Sequence, residues 1–180
     1  MAKGYFQSEG IDYHETFSPV AKPPTIREYL SLALHFSWPI KQLDISNAFL
    51  HGILEEEVFM TQPLGFEDSV YPSHVCLLHK ALYGLKQAPR AWYSTFSSFL
   101  VSYGFTNNKY DSSLFIFHRG SAIILLLGYA DDILITGNDI PLVASLIKHM
   151  HSAFSMKELG NLSYFLRIVV HHTATGLFLS

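Results

Sequence analysis

Apolar residues recur along this chain at two spacings, and the two spacings divide it into helices and strands. Ile26, Leu30, Ala33 and Leu34 lie three and four apart, as on one face of a helix. Thr25-Ile26-Arg27-Glu28 stands before them as a capping box, with Thr25 as N-cap and Glu28 reaching back. A helix is therefore predicted from about Ile26 to Phe36, with Pro39 ending it. Trp92, Phe96, Phe99, Leu100 and Tyr103 repeat the spacing between Pro89 and Gly104, which predicts a second helix over 89–103 whose aromatics are core. A third runs from about Ile140 to His151, capped by Asp139, with Pro141 tolerated in its first turn.

Between the helices the apolar runs are short and β-prone. Strands are predicted at 40–45, 75–78, 114–117, 122–129, 133–136, 164–170 and 177–179, the last two parted by a Thr-Gly turn. Residues 1–24 show no sustained period and read as loop and short strand, Glu55-Glu56-Glu57 as a solvated face, and 63–74 as loop. Strand 40–45, helix 89–103, hairpin 122–129/133–136, helix 140–151 and strand 164–170 follow in the order βαββαβ, so the fold class is α+β with a ferredoxin-like core. In that topology the first and third strands are antiparallel neighbours. Asp44, near the end of the first, is then brought beside Asp131 and Asp132 at the start of the third.

The surroundings of those carboxylates give them chemical meaning. The run from Leu125 to Ile135 is apolar except for Asp131 and Asp132 in its middle, and burying unpaired carboxylates is costly. A tight hairpin turn would lift them to the end of the sheet, where a divalent cation can neutralise them. Ala130-Asp131-Asp132 also suits an ordinary solvated turn, so Tyr129 to Asp132 alone does not decide between the two.

With 180 residues, 49% of them hydrophobic, the chain can bury a core, and its length favours one domain. Charged residues are few (15%) and the net charge is −3, so no global basic field advertises a nucleic-acid partner. Phosphate contacts would then fall to segments beyond these residues. The single cysteine, Cys76, excludes an intramolecular disulfide, and its neighbours Val75, Leu77 and Leu78 predict that it is buried. None of the ten histidines has HExxH or similar ligand spacing, and His171-His172 reads as an exposed strand end. No apolar run approaches the roughly 18 residues that span a bilayer, and the N-terminus lacks a signal-peptide core. The expectation is a soluble, intracellular protein without a membrane partner.

A partly buried cluster of Asp44, Asp131 and Asp132 stays ionised only with a cation at hand. Oxygen ligands select Mg²⁺ or Mn²⁺, and two such ions would serve the attacking and leaving oxygens of an in-line phosphoryl displacement. The reaction implied is nucleotidyl transfer, in which a primer 3′-hydroxyl attacks an α-phosphate and pyrophosphate leaves.

Three stretches carry a resemblance. Gln42-Leu43-Asp44-Ile45-Ser46-Asn47-Ala48-Phe49-Leu50-His51-Gly52, the segment Lys80-Ala81-Leu82-Tyr83-Gly84-Leu85-Lys86-Gln87-Ala88-Pro89-Arg90-Ala91-Trp92-Tyr93, and Tyr129-Ala130-Asp131-Asp132-Ile133-Leu134 resemble successive motifs of the reverse transcriptase of copia-type LTR retrotransposons. Ala2-Lys3-Gly4-Tyr5, Glu9 to Val20 and Met156-Lys157-Glu158-Leu159-Gly160 fit the same family, so the likeness runs nearly end to end. It implies a polymerase palm with a catalytic Tyr-x-Asp-Asp hairpin and RNA-directed DNA polymerase activity supported by two Mg²⁺ or Mn²⁺ ions. Partners would be a primed RNA or DNA template and dNTPs. By resemblance Asp44, Asp131 and Asp132 are the catalytic, metal-binding aspartates. Phe49 is the gate against a ribose 2′-hydroxyl, although a plain core Phe fits it too. Phe49, Tyr83, Gly84 and Lys86 face the nucleotide. Gln87, Arg90, Tyr129, Leu166 and Arg167 face template and primer, Tyr164-Phe165-Leu166-Arg167 being the primer-grip segment. Gly84 permits close backbone approach, and Lys86 and Arg90 offer phosphate partners near a helix N-terminus; surface solvation accounts for both charges equally well.

The resemblance divides residues 1–180 into fingers-like parts at 1–39 and 53–79, palm at 40–52 and 80–155, and a palm end with primer grip at 156–180. The pattern starts part-way into the family's and stops before any thumb or RNase H region, so a truncated fragment with partial fingers and no thumb is expected, its remaining partners being other segments of a Pol polyprotein. Three positions depart from the family: Ala130 where Val is usual, which reduces packing; Val169 for a frequent Glu; and Arg167 for Gly, whose Cβ suits a tight turn poorly. Truncation and Arg167 leave open an alternative, an inactive transposon relic or a co-opted nucleic-acid- or protein-binding module of the same fold.

Overall fold

The computed structural model describes residues 4–173 and 176–180. Ala2 and Lys3 of the family-like N-terminus, and Thr175 of the Thr-Gly turn, lie outside the described residues. In chain order the elements are α1 (Pro23–His35), β1 (Lys41–Ile45), β2 (Ile53–Thr61), β3 (Val75–Lys80), α2 (Ala88–Tyr103), β4 (Thr106–Asn107), β5 (Leu114–Arg119), β6 (Ala122–Tyr129), β7 (Asp132–Gly137), α3 (Ile140–Ala153), β8 (Met156–Glu158), β9 (Tyr164–Phe165), β10 (Ile168–Thr173) and β11 (Gly176–Leu179). Three α-helices and antiparallel sheets thus make a mixed fold among the described residues. The chain divides into two compact units, one of the residues up to Ser18 with Phe49–Phe96, the other of Pro19–Ala48 with Ser97–Ser180.

In the first unit β2 and β3 form an antiparallel ribbon. Leu54 and Val58 of β2 turn inward onto Ala81, Leu85, Ala88 and Ala91, and Phe49, Leu78 and Leu82 pack against that cluster. A Cβ on Gly52 would fall 2.7 Å from the Trp92 nitrogen, so the chain enters the ribbon against the backbone of α2 at a distance only glycine allows. Glu55 and Glu57 are exposed as expected, but Glu56 is partly buried. Cys76 is only partly buried as well: it sits on a two-stranded ribbon opposite Met60, which has too little mass to enclose it.

In the second unit six strands run in the order β4-β5-β6-β7-β1-β8, each antiparallel to its neighbour. Ile124–Leu127 and Ile133–Gly137 are buried without alternation, the mark of strands covered on both faces. Ile26, Tyr29 and Leu30 of α1 join Leu125, Leu127, Leu134, Leu162, Phe165 and Val170 in one core. Val143, Leu146, Ile147 and Met150 form the buried stripe of α3. Asp139 caps that helix, its carboxylate accepting from the Leu142 N–H at 2.9 Å.

Two further expectations are corrected. Thr25 is not an N-cap, because α1 starts at Pro23 with Lys22 in the cap position and no side-chain cap. Two prolines fill the first turn, where a missing N–H costs nothing. The Asp111 carboxylate instead accepts from the Lys22 N–H at 3.0 Å and the Ser113 N–H at 3.0 Å. A side chain 89 residues away thus takes over the cap. The fourth strand of the core is β8, paired with β1 through Leu43↔Glu158, Asp44↔Lys157 and Ile45↔Met156, and not 164–170. That segment folds back on itself, with Phe165 paired to Ile168 around the two-residue loop Leu166-Arg167, and belongs to a separate sheet β11-β10-β9. Leu166 and Arg167 have φ of 46° and 70°, which no continuous strand contains.

Candidate active site

The hairpin of β6 and β7 closes on Tyr129↔Asp132, leaving Ala130 and Asp131 as a two-residue loop. Ala130 has φ 50° and Asp131 is not among the positive-φ residues, the pattern of a type II′ turn, whose twist matches the strands it joins. The Ile45 N–H donates to the Asp131 carbonyl at 2.9 Å, tying the loop to the end of β1. The register of β1 on β7 sets Asp44 directly opposite Asp132. Directly opposed residues on neighbouring antiparallel strands have Cβ atoms about 5 Å apart.

Asp44 and Asp132 are half-buried and Asp131 is exposed. Burial pushes the Asp132 carboxyl above its ordinary range, and the charges of Asp131 and Asp44 push it further, while the Gln42 side-chain amide opposes them. Lys41, three residues before Asp44, is drawn away to Glu158 at 3.4 Å. Among the described residues no three carboxylate, imidazole or thiol side chains gather into one metal site. What the fold brings together is a repelling pair, Asp44 and Asp132, with Asp131 on the adjoining turn. An all-oxygen set burdened by its own repulsion fits a hard divalent cation held by two carboxylates, and does not form a three-point cage. Tyr129 stands half-buried beside the loop.

Of the other residues singled out in the sequence, Leu166 and Arg167 form the β9–β10 turn of this second unit; Leu166 packs against the α1 core, and Arg167 is exposed. The remainder belong to the first unit. Phe49 and Tyr83 touch, ring centroids 5.0 Å apart, and Tyr83 lines an apolar cavity of about 1060 Å³ with Phe6, Leu50, Phe59 and Leu82. Gly84 has φ 100° and receives the backbone of Gly4 closely, since a Cβ on Gly4 would overlap the Gly84 carbonyl. The Lys86 ammonium donates to the Gln7 carbonyl at 3.2 Å and the Tyr13 hydroxyl at 3.4 Å. Arg90 pairs with Glu15 at 3.3 Å and Glu56 at 3.7 Å.

Gln87 is committed within its own unit. It is 1% exposed, accepting from Gln7 at 2.9 Å and donating to the Asp12 carbonyl at 3.0 Å. Both ends of its amide are spent on holding the N-terminal segment.

Gln42 was missed. It is a buried amide (7% exposed) two residues before Asp44 on the same strand face. The available signal was its i, i+2 spacing from an aspartate inside an apolar strand.

The sequence matches the family described as Reverse transcriptase (RNA-dependent DNA polymerase) over residues 1–180. It is 52% identical over 180 residues to the Retrovirus-related Pol polyprotein from transposon RE1 of Arabidopsis thaliana, covering 100% of this chain and 12% of that protein. It is 46% identical over 184 residues to the Retrovirus-related Pol polyprotein from transposon TNT 1-94 of Nicotiana tabacum, covering 100% of this chain and 14% of the relative. To the Transposon Ty1-H Gag-Pol polyprotein of Saccharomyces cerevisiae it is 30% identical over 164 residues, 86% of this chain and 9% of the relative. The chain therefore spans about one-eighth of the length of the plant relatives it matches. No solved structure matches it. Among the described residues no helix is long and apolar enough to cross a membrane. A match over the whole length, joined to about half identity with copia-type polyproteins, makes this chain a member of the reverse transcriptase family, the reverse transcriptase domain of a retrotransposon Pol polyprotein.

Proposed function

We propose that this chain is the palm-centred part of an RNA-directed DNA polymerase and that Asp44, Asp131 and Asp132 are its catalytic carboxylates. One observation carries the reading: the β1–β7 register sets Asp44 opposite Asp132 at the tip of a tight hairpin whose loop holds Asp131. The strand order β6-β7-β1-β8, with α2 and α3 in the two crossover connections, is that of a ferredoxin-like unit and supports the palm assignment. Asp44 and Asp132, with Asp131 beside them, would hold Mg²⁺ or Mn²⁺, which when bound neutralises charge on the phosphates of an incoming nucleotide.

The reaction is displacement at an α-phosphorus. The primer 3′-oxygen forms a new P–O bond, the bond to the β-phosphate bridge breaks, pyrophosphate leaves, and the 3′-hydroxyl proton passes to solvent. The chain's own residues supply position. The Asp131 carbonyl held by Ile45 fixes the hairpin tip against β1, and the Leu166-Arg167 turn is the segment assigned to the primer. Within the first unit Phe49 lies against Tyr83, the aromatic pair that the resemblance assigns to the nucleotide. A dNTP incorporation assay on a primed RNA template tests this. Template-directed extension that Asp44→Asn and Asp132→Asn each reduce by at least about 100-fold is expected, and extension that survives either substitution would refute the assignment.

A second reading, a non-catalytic module of the same fold, is favoured by the internal commitments of Lys86 and Arg90. Each cation already has partners in its own unit and would have to leave them to meet a phosphate. Tight binding of a primed template that neither incorporates dNTPs nor weakens in Asp44→Asn would support it.

A further inference from the structure

The β1 residue two places before Asp44 links the aspartate edge to the β9–β10 hairpin. Gln42 lies opposite Leu134 while Asp44 lies opposite Asp132, so on their shared face Gln42 is the diagonal neighbour of Asp132. Its Nε2 donates to the Tyr164 carbonyl at 3.1 Å, and the register sets its side-chain amide diagonal to the Asp132 carboxylate, whose charged form it favours. Its backbone is held as well, the Leu159 N–H donating to the Gln42 carbonyl at 2.9 Å. At 7% exposure the amide is not spending donors on water, and buried amides are kept where both ends of the link matter.

We infer that Gln42 is a positioning residue which holds the Asp132 carboxylate in the orientation a divalent cation requires and keys that orientation to the Tyr164–Ile168 turn. The inference rests on the proposed reading of Asp44 and Asp132 as cation ligands. Its logic is that of an outer ligand: a carboxylate with two free torsions coordinates well only when a neighbour fixes its plane, and the loss of such a neighbour typically weakens metal binding by about 10- to 100-fold. The link to Tyr164 makes Gln42 more than a local prop. A shift of the hairpin backbone would pull on the amide that orients Asp132.

The test is Mn²⁺ binding followed by electron paramagnetic resonance on the whole chain, well below its melting temperature. Gln42→Met keeps the length and apolar stem of the side chain but removes both donors. Thr136→Val is the control, since Thr136 is also buried and donates to the Pro39 carbonyl at 2.9 Å, away from the aspartates on the same sheet. Wild type and Thr136→Val binding with similar affinity, and Gln42→Met about 10- to 100-fold weaker, is the expected result. Unchanged affinity in Gln42→Met overturns the inference and leaves the cation reading intact. Equal loss in both variants also overturns it, as general loosening would then account for the effect. No Mn²⁺ binding by wild type overturns the cation reading and the inference together. Should Gln42→Met fail to fold, Gln42→Asn carries the same expectation, because it keeps an amide but withdraws it by one methylene from both partners.

Discussion

The turn at Leu166-Arg167 stores strain that one substitution should release. Both residues occupy the left-handed region, at φ 46° and 70°, and between them they close a two-residue hairpin loop, the type I′ pattern that favours Asn-Gly. Left-handed backbone costs an ordinary residue about 1–2 kcal/mol. Glycine escapes that cost but gives back about 0.5–1 kcal/mol through its more flexible unfolded chain. Arg167 is exposed, and no ion pair among the described residues uses it, so little else is lost on its removal. Arg167→Gly should therefore stabilise the protein by about 0.5–1 kcal/mol, which for a chain of this size is a rise in melting temperature of about 1–4 °C. Leu166→Gly is the contrasting case. Leu166 packs against the core that includes Ile26, Tyr29 and Phe165, and losing that contact costs more than the relaxed backbone returns. Thermal melts by circular dichroism, checked by urea midpoints at constant slope, measure both. An unchanged or lower melting temperature for Arg167→Gly would show that the turn is not strained and would refute the reasoning.

Two further outcomes follow from the carboxylates. Asp111→Ala should destabilise by about 2 kcal/mol, because it strands donors from Lys22 and Ser113. Burial raises the Asp111 carboxyl but those hydrogen bonds overcome it and leave it below 3.8, so its contribution is complete above that value and fades as pH falls through the lower folded-state value; the wild-type advantage over Asp111→Ala, read from melts across pH, should shrink in that acid range. Asp132 is displaced the other way, by burial first and then by Asp131 and Asp44, so its ionised form works against folding. In EDTA, Asp132→Asn should melt higher than wild type at pH 7, with the difference vanishing as pH falls below 3.8, the ordinary Asp value; a lower melting temperature at pH 7 would contradict the assigned cause.

Much of this arrangement could be read from residue order, and the parts that could not have definite causes. The neighbour relation of Asp44 and Asp132 follows from connecting strand 40–45 to hairpin 122–136 through a helix. The fourth strand escaped because Met156-Lys157-Glu158 pairs with β1 over only three residues, too few to show a period, while the apolar run from Tyr164 to Val170 imitates one strand and contains no Gly or Asn to mark its turn. The start of α1 was misplaced since Thr25 to Glu28 satisfies the capping-box pattern locally, whereas the true acceptor, Asp111, comes from 89 residues away. The intrachain partners of Gln87 and Lys86 are illegible for the same reason. Their partners Gln7 and Asp12 lie 75 to 80 positions earlier, and nothing in local spacing announces such bonds.

Ala130 spares the hairpin tip a torsional load that the family's usual Val would add. A methyl group is the smallest side chain that an L-residue can bring into left-handed backbone, and the φ of 50° already burdens it; any residue branched at Cβ would add torsional load at the same point. That load would fall on the turn whose carbonyl is fastened to Ile45 and whose neighbour is Asp132. A change at this one uncharged position can thus stiffen or tilt the tip while every carboxylate remains in the sequence, so two relatives with identical acidic residues can differ in how well those residues are presented.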